Sequence, residues 1–452
     1  MMAKLVAQRP IPPSPRPFAF PSFTQARLSS GMHVRTVDIP GRPLAAVYLV
    51  LEAGALNEPA GREGVAALAA RALTEGSERY GATEFAEAVE ALGADLVARA
   101  GWETIVVSSR VPVARVEQVL ELVAEATRRP SFAEPEIDRL RAERVNAIRQ
   151  ALASPMQRAL WAFIGSTYDE SSRFSRPAEG VIDSVSALTR DDVAEHYGRF
   201  ATPGSATLVV AGDLRGTDVV GACERLFGDW SVGEPERPRP AVKERIAQTH
   251  VSIVHRPGSV QSNFVLGHGG IARSAPDYHA VELLEHVLGG SFMSRINQKL
   301  REEKGYTYGA RGTFDARRQP GPFYAYAPVE TSVTAPAIAD AVAEIRRMRD
   351  EGAREEEVDD ARTFLTGAFG LRFETPDAIA AGLVELALYE LSDDYFDTYG
   401  DALSRLTADD VSRAARDHLR PDGMAIAIVG DADAITEPLR AAGFADVEVT
   451  TE

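Results

Sequence analysis

The hexapeptide LTRDDV at Leu188–Val193 returns as LTADDV at Leu406–Val411, and VVAGDL at Val209–Leu214 returns as AIVGDA at Ala427–Ala432. Both recurrences share one offset: 406 − 188 = 218, and Asp431 stands 218 residues after Asp213. Two matches at one spacing mark a tandem duplication. Each copy joins a helix start, Thr followed three residues on by Asp as in a capping box, to an apolar run ending in Gly-Asp that reads as a buried strand. Charge- and proline-rich sequence at Val232–Ile246, VGEPERPRPAVKERI, separates the copies. The expected fold class is therefore α+β: two tandem homologous sandwich halves, each a mostly antiparallel sheet packed with helices, closing on each other as a clamshell. The expected divisions are a Pro-rich extension at 1–23, a first half at 24–231, a linker at 232–246 and a second half at 247–452.

Working outward, the first half reads clearly. Ala26–Ile39 has the pattern of a hairpin turning at Gly31–Met32, and Leu44–Ala53 that of an apolar strand. Gly64–Leu73 and Glu84–Leu92 read as helices, Glu103–Val111 as an alternating strand, and Val113–Thr127 and Pro135–Leu152 as helices. Leu188–Phe200 is a helix opened by Thr189, and Ala206–Ala211 a buried strand. Ala94–Val107 is expected to include an edge strand, along which an extended peptide could add by backbone pairing.

Composition narrows the function. A formal net charge of −17 over 452 residues argues against nucleic acid and against an anionic membrane surface as partners. One cysteine, Cys223, rules out an intrachain disulfide and sits in an apolar helical pattern that reads as core. The opening residues carry no apolar run before Pro10, and no stretch is long and apolar enough to span a bilayer. The protein is read as cytoplasmic, with a periplasmic location as the alternative if a leader has been removed.

In the second half, Gly289–Gly309 reads GGSFMSRINQKLREEKGYTYG. Met293, Ile296 and Leu300 fall on one side of a helix that stops at Gly305, and Tyr306–Tyr308 reads as a strand start. Arg301 would bring a fixed cationic fork and Tyr308 a phenol donor, seven positions apart across the corner. Two such donors could converge on a substrate carbonyl; a locally paired Arg beside a half-buried Tyr is the alternative.

Taken together, the repeat and these motifs resemble the pitrilysin/insulinase family of zinc peptidases, in its bacterial branch similar to mitochondrial processing peptidase, over about Phe23 to Val449. Members carry H-x-x-E-H on an early helix, where two His one turn apart reach one metal and the Glu activates a water, with a Glu on a later helix as third ligand. The matching stretch here is Gly64–Ser77, GVAALAARALTEGS. Its register puts Ala67 at the first His position, Ala70 at the Glu position and Arg71 at the second His position. The third-ligand position falls on Ala147 counting back from Pro155, or on Gln150 counting forward from Glu143–Arg144. None is a zinc ligand, so no cofactor is expected in this chain. In the second half only Glu282–His286 approaches the motif, with Glu where the first His belongs, and it reads as a helix with Leu283 and Leu284 inward and its acids solvated. His250 and His255 lie five apart on one strand, hence on opposite faces.

The resemblance assigns Arg301 and Tyr308, within R-x6-Y, to the family's grip on the substrate backbone and tetrahedral oxyanion. In two-chain members one chain carries zinc and a homologous chain without it supplies the Arg and Tyr. The resemblance thus implies a non-catalytic subunit, inactive alone as a metalloendopeptidase. Its expected partners are a homologous zinc-binding subunit in a heterodimer and an extended peptide. A structural subunit of a larger complex, without proteolytic role, is the alternative. No phosphate loop, dinucleotide fingerprint or Ser–His–Asp order supports other chemistry. Trp102 and Trp161 read as packing anchors, and the acids at Glu355–Asp360 as a solvated face.

Overall fold

Runs such as LAAVYLVL at Leu44–Leu51 and AIAIVG at Ala425–Gly430 are apolar at nearly every position, so they need cover on both faces. The computed structural model, which describes residues 18–231 and 242–451, shows how they obtain it. Residues 1–17 of the Pro-rich extension and 232–241 of the linker lie outside the described residues.

The first sheet contains β1 (Thr24–Arg27), β2 (His33–Asp38), β3 (Leu44–Leu51), β4 (Val97–Ala100), β5 (Ile105–Pro112) and β6 (Thr207–Gly212), in the order β1-β2-β6-β3-β5-β4. The second contains β7 (His250–His255), β8 (Gln261–Gly269), β9 (Arg311–Phe314), β10 (Pro322–Glu330), β11 (Ala425–Gly430) and β12 (Val447–Thr451), in the order β12-β7-β11-β8-β10-β9. Five strands recur in the same order, and β6 and β11 keep the 218-residue offset. The sixth differs: β1 joins β2 antiparallel from the start of its half, whereas β12 joins β7 parallel from the end of the chain. Pairing is antiparallel except at β2–β6, β7–β11 and β7–β12. β4 is the edge strand expected within Ala94–Val107.

Alternation in β6 explains the double cover. Leu208 and Val210 pack into the first half's own core with Leu68 and Val123, whereas Val209 and Ala211 point the other way, into a core shared with Ile379 and Leu383 of the second half. Helix Pro376–Leu388 lies across β3 and β6, and helix Pro155–Thr167 lies across β8 and β11, burying Phe163 against Val265 and Ala427. Each half therefore lends one helix to the other's sheet. Phe18 and Phe20, just before β1, also pack among Phe369, Phe373 and Phe396 of the second half. Cys223 is buried in the first core, which pushes its thiol up to about 12.

Two local expectations fail. Tyr306–Tyr308 is not a strand start; the chain there is coil, and β9 begins at Arg311. Met293 is not on the apolar side with Ile296 and Leu300 but is 72% exposed, because the helical turn begins only at Arg295.

Candidate functional site

The motif helix, Val65–Ala72, is fixed at its start by a buried charge. Gly64 turns into it at φ +98, with no side chain able to cap it. Glu58 does the capping from a distance, accepting from Gly64 N at 3.1 Å and Ala66 N at 2.8 Å. Arg173 holds the same carboxylate through Nε at 2.8 Å and Nη2 at 2.6 Å, and both side chains are almost fully buried. Burial raises the Glu58 carboxyl, against the pull of Arg173 and the two amides.

Along this helix Ala67 and Arg71, one turn apart, face a cavity of about 270 Å³. Arg144 enters it from helix Glu134–Ala153, Arg99 from β4, and Glu179 from the loop before helix Ile182–Ala187. Ala98, Ala100 and Ala178 complete the wall. Ala70 does not line it; it is fully buried in the first core. Ala147 and Gln150 are both exposed, and of their helix it is Arg144, three residues before Ala147 and so on the same face, that lines the cavity. The structure thus joins Ala67 and Arg71 with three charged groups the motif did not reveal: Arg99, Arg144 and Glu179.

These arginines are poorly neutralised. The carboxylate nearest Arg71 is Glu75, at 3.9 Å, and Arg139 holds that group at 2.6 Å. The side chains of Arg99 and Arg144 have no ion pair or hydrogen bond among the described residues. Three guanidiniums and one carboxylate leave the lining at a net charge of +2. Such a donor set does not fit zinc, which needs three or four N, S or O ligands.

Arg301 and Tyr308 come from the Gly289–Gly309 stretch. Arg301 lies in a π-helical turn, Gln298–Glu303, with its guanidinium carbon 4.2 Å from the centre of the Phe292 ring. Its Nη1 is buried and has no acceptor. Tyr308 is 97% exposed. Phe292 and Met293 are also exposed, so a cationic fork, a phenol and two apolar side chains share one solvent-facing segment. No hydrogen bond or ring contact joins Arg301 to Tyr308; convergence would need a ligand between them.

The second half's counterpart of the motif departs from expectation. Leu283 and Leu284 point inward, but the acids Glu282 and Glu285 are half-buried and hydrogen-bonded rather than fully solvated. Glu285 accepts from Phe314 N at 2.8 Å and Thr313 Oγ1 at 3.1 Å, and burial pushes its carboxyl up to about 7. Glu282 accepts from Tyr399 Oη at 2.8 Å. Elsewhere, His255, Asp431 and Asp433 bring ligand-type atoms together among the described residues. These atoms already serve the entry to helix Ala432–Ala441: His255 Nδ1 accepts from Ala432 N, and Asp431 from Gly258 N and Asp433 N.

Residues 33–173 match the family model for insulinase, peptidase family M16, and residues 187–365 the model described as peptidase M16 inactive domain. An uncharacterized zinc protease of Rickettsia bellii is 25% identical over 76% of this chain and 82% of its own length. A non-peptidase homolog of Helicobacter pylori is 19% identical over 74% of this chain and 76% of its own. A crystal structure of a peptidase M16 inactive domain from Pseudomonas fluorescens superposes with a TM-score of 0.84 at 23% identity, covering 91% of this chain and 98% of that one.

Proposed function

Because the chain belongs to the insulinase family, peptidase family M16, we propose that it is the non-catalytic, substrate-gripping subunit of a two-chain zinc metallopeptidase acting on extended peptides or unfolded segments. The metal and the general base belong to a homologous partner that keeps H-x-x-E-H. This chain supplies Arg301 and Tyr308, and its own motif positions, Ala67, Ala70 and Arg71, leave it no zinc and no nucleophile. No helix among the described residues is long and apolar enough to cross a membrane, and the reading places the complex in the cytoplasm.

The observation that carries this reading is a buried guanidinium nitrogen of Arg301 without an acceptor, together with a wholly exposed Tyr308 seven residues on. A buried unpaired donor is costly, and it becomes useful when a carbonyl or oxyanion arrives. In the folded subunit Arg301 would hold the peptide backbone while the Tyr308 hydroxyl donates to the oxygen that gains charge.

The test is reconstitution. The isolated chain should contain no stoichiometric zinc and cleave nothing. Adding a zinc-bearing partner should give metal-dependent cleavage of an unstructured peptide. Arg301→Ala or Tyr308→Phe should then lower kcat by about tenfold to a thousandfold, as loss of an oxyanion donor does. Full turnover in both variants would remove the assigned role.

A further inference from the structure

We infer that the vacated motif site of the first half is a carboxylate-binding pocket, in which Arg71 and Arg144 grip an acidic group carried by a peptide. The choice of a peptide as carrier rests on the function proposed above; the anion site itself rests on the pocket.

The first argument is charge. In a chain of net charge −17, three arginines converge on one cavity of about 270 Å³ against a single glutamate. Surface arginines in so acidic a protein would be expected to find carboxylates, and most here do. Arg99 and Arg144 do not, and Arg71 has only a long contact to a Glu75 already held by Arg139. Guanidinium forks of this kind match a planar carboxylate two bonds at a time.

Shape separates a carboxylate on an aliphatic stem from a free dianion. Four alanines, including Ala67 and Ala98, form the rest of the wall. They suit the methylenes of an acidic side chain and give an inorganic ion nothing to bond. Glu179 on the same lining repels a second negative charge. The pocket is therefore matched to an apolar stem with a monoanionic head.

Arg71 occupies the position of a zinc-ligating histidine, so the substitution has kept a positive centre in place while changing what it can do. A dication polarises a carbonyl and activates water; arginines at the same place can only hold. The site would anchor an acidic residue and so fix where along the peptide the chain takes hold.

Three labelled, unstructured peptides of otherwise neutral sequence test this by fluorescence anisotropy on the full-length chain: one with an internal Glu and an amidated end, the same with Gln, and the Gln peptide with a free C-terminal carboxylate. The Glu peptide should bind at least tenfold more tightly than the Gln peptide, with the advantage shrinking as salt rises. Arg71→Gln and Arg144→Gln should each remove most of it. Arg144→Lys, which keeps the charge and loses the fork, should retain part. An arginine-dependent gain on the free-terminus peptide supports the same site and identifies a chain end as its ligand. Equal binding of all three peptides, or a Glu preference that survives both Gln variants, overturns the proposal. This preference is read on the isolated chain, whereas the roles of Arg301 and Tyr308 are read as turnover in the complex, so either can fail alone.

Discussion

Glu58 is a carboxylate with no exposed side-chain surface, shared between two amides at a helix start and the Arg173 fork. Taking away one member of such a pair leaves a buried charge without compensation, which destabilises more than the pair ever stabilises. Arg173→Met should lower unfolding free energy by about 3–5 kcal/mol in urea titration, and adding Glu58→Gln should recover part of that loss. Glu285 makes a different prediction. Burial, helped by the Glu282 carboxylate and opposed by Phe314 N and Thr313 Oγ1, brings its pKa to about 7 from 4.5. The folded state then holds the proton more tightly than the unfolded chain. This residue's contribution is fully present below about pH 4.5 and is lost as pH rises through 7, a decline of up to about 3 kcal/mol. Glu285→Gln should flatten that decline in stability measured between pH 4.5 and 8, and an unchanged slope would contradict it. Neither effect was legible in the sequence. The acids of Glu282–His286 read as solvated because helix spacing shows which face a residue takes, and β9, whose Thr313 and Phe314 cover Glu285, lies almost thirty residues away. Glu357 is a parallel case: within a run expected to be solvated, bonds from Arg295 and Arg354 N outweigh the effect of burial and bring its carboxyl down to about 2.

Elements were more readable than residues, because caps and periodicity are local. Thr189 accepts from Asp192 N at 3.2 Å while Asp192 accepts from Thr189 N at 2.8 Å; Thr407 and Asp410 repeat this at 3.3 and 2.9 Å. The repeat that revealed the duplication is thus a pair of equivalent capping boxes. Thr189→Ala and Thr407→Ala should each cost about 1 kcal/mol in denaturant unfolding, and a clear disparity would mean the two helix starts are not energetic equivalents. Gly64 was legible as a family flank, but its reason is steric. A Cβ there would sit 2.7 Å from Glu179 O and from Val185 Cγ2, at a φ that L residues avoid. Gly64→Ala should therefore destabilise by more than about 1 kcal/mol and shift the loop that carries Glu179. The candidate site divides in the same way. Register within single segments pointed to Ala67 and Arg71 in one stretch and to Arg301 and Tyr308 in another. Arg99, Arg144 and Glu179 stand 28, 73 and 108 residues after Arg71, and only the packing of four separate elements brings them to it.

At the scale of the whole molecule, duplication predicts two separable halves, and the packing opposes that. Helix Pro155–Thr167 is first-half sequence that covers the second sheet, and Pro376–Leu388 is second-half sequence that covers the first. Polar ties follow the same seam. Arg318, between β9 and β10, grips Glu52 at the end of β3 with two bonds of 3.0 Å, donates Nε to Leu388 O at 2.8 Å, and its backbone N reaches Glu103 at 3.1 Å. Tyr48 on β3 donates to Asp377 at 3.2 Å. A half cut from its neighbour would keep its own helices on one face of its sheet and expose the other, including Val209 and Ala211 in one case and Val265 and Ala427 in the other. Bare apolar sheet faces of that kind aggregate or remain loosely packed. The full chain should consequently unfold in one transition, with calorimetric and van't Hoff enthalpies in agreement, and a fragment beginning at residue 242 should bind a hydrophobic dye and lack sharp near-ultraviolet dichroism. Supplying residues 18–231 in trans should restore order in proportion to concentration, because each fragment brings the helix the other lacks. Two resolved transitions in the full chain, or a monomeric and well-ordered fragment, would show that the exchanged helices are ornament on independent domains, and the clamshell would then be free to open about the linker alone.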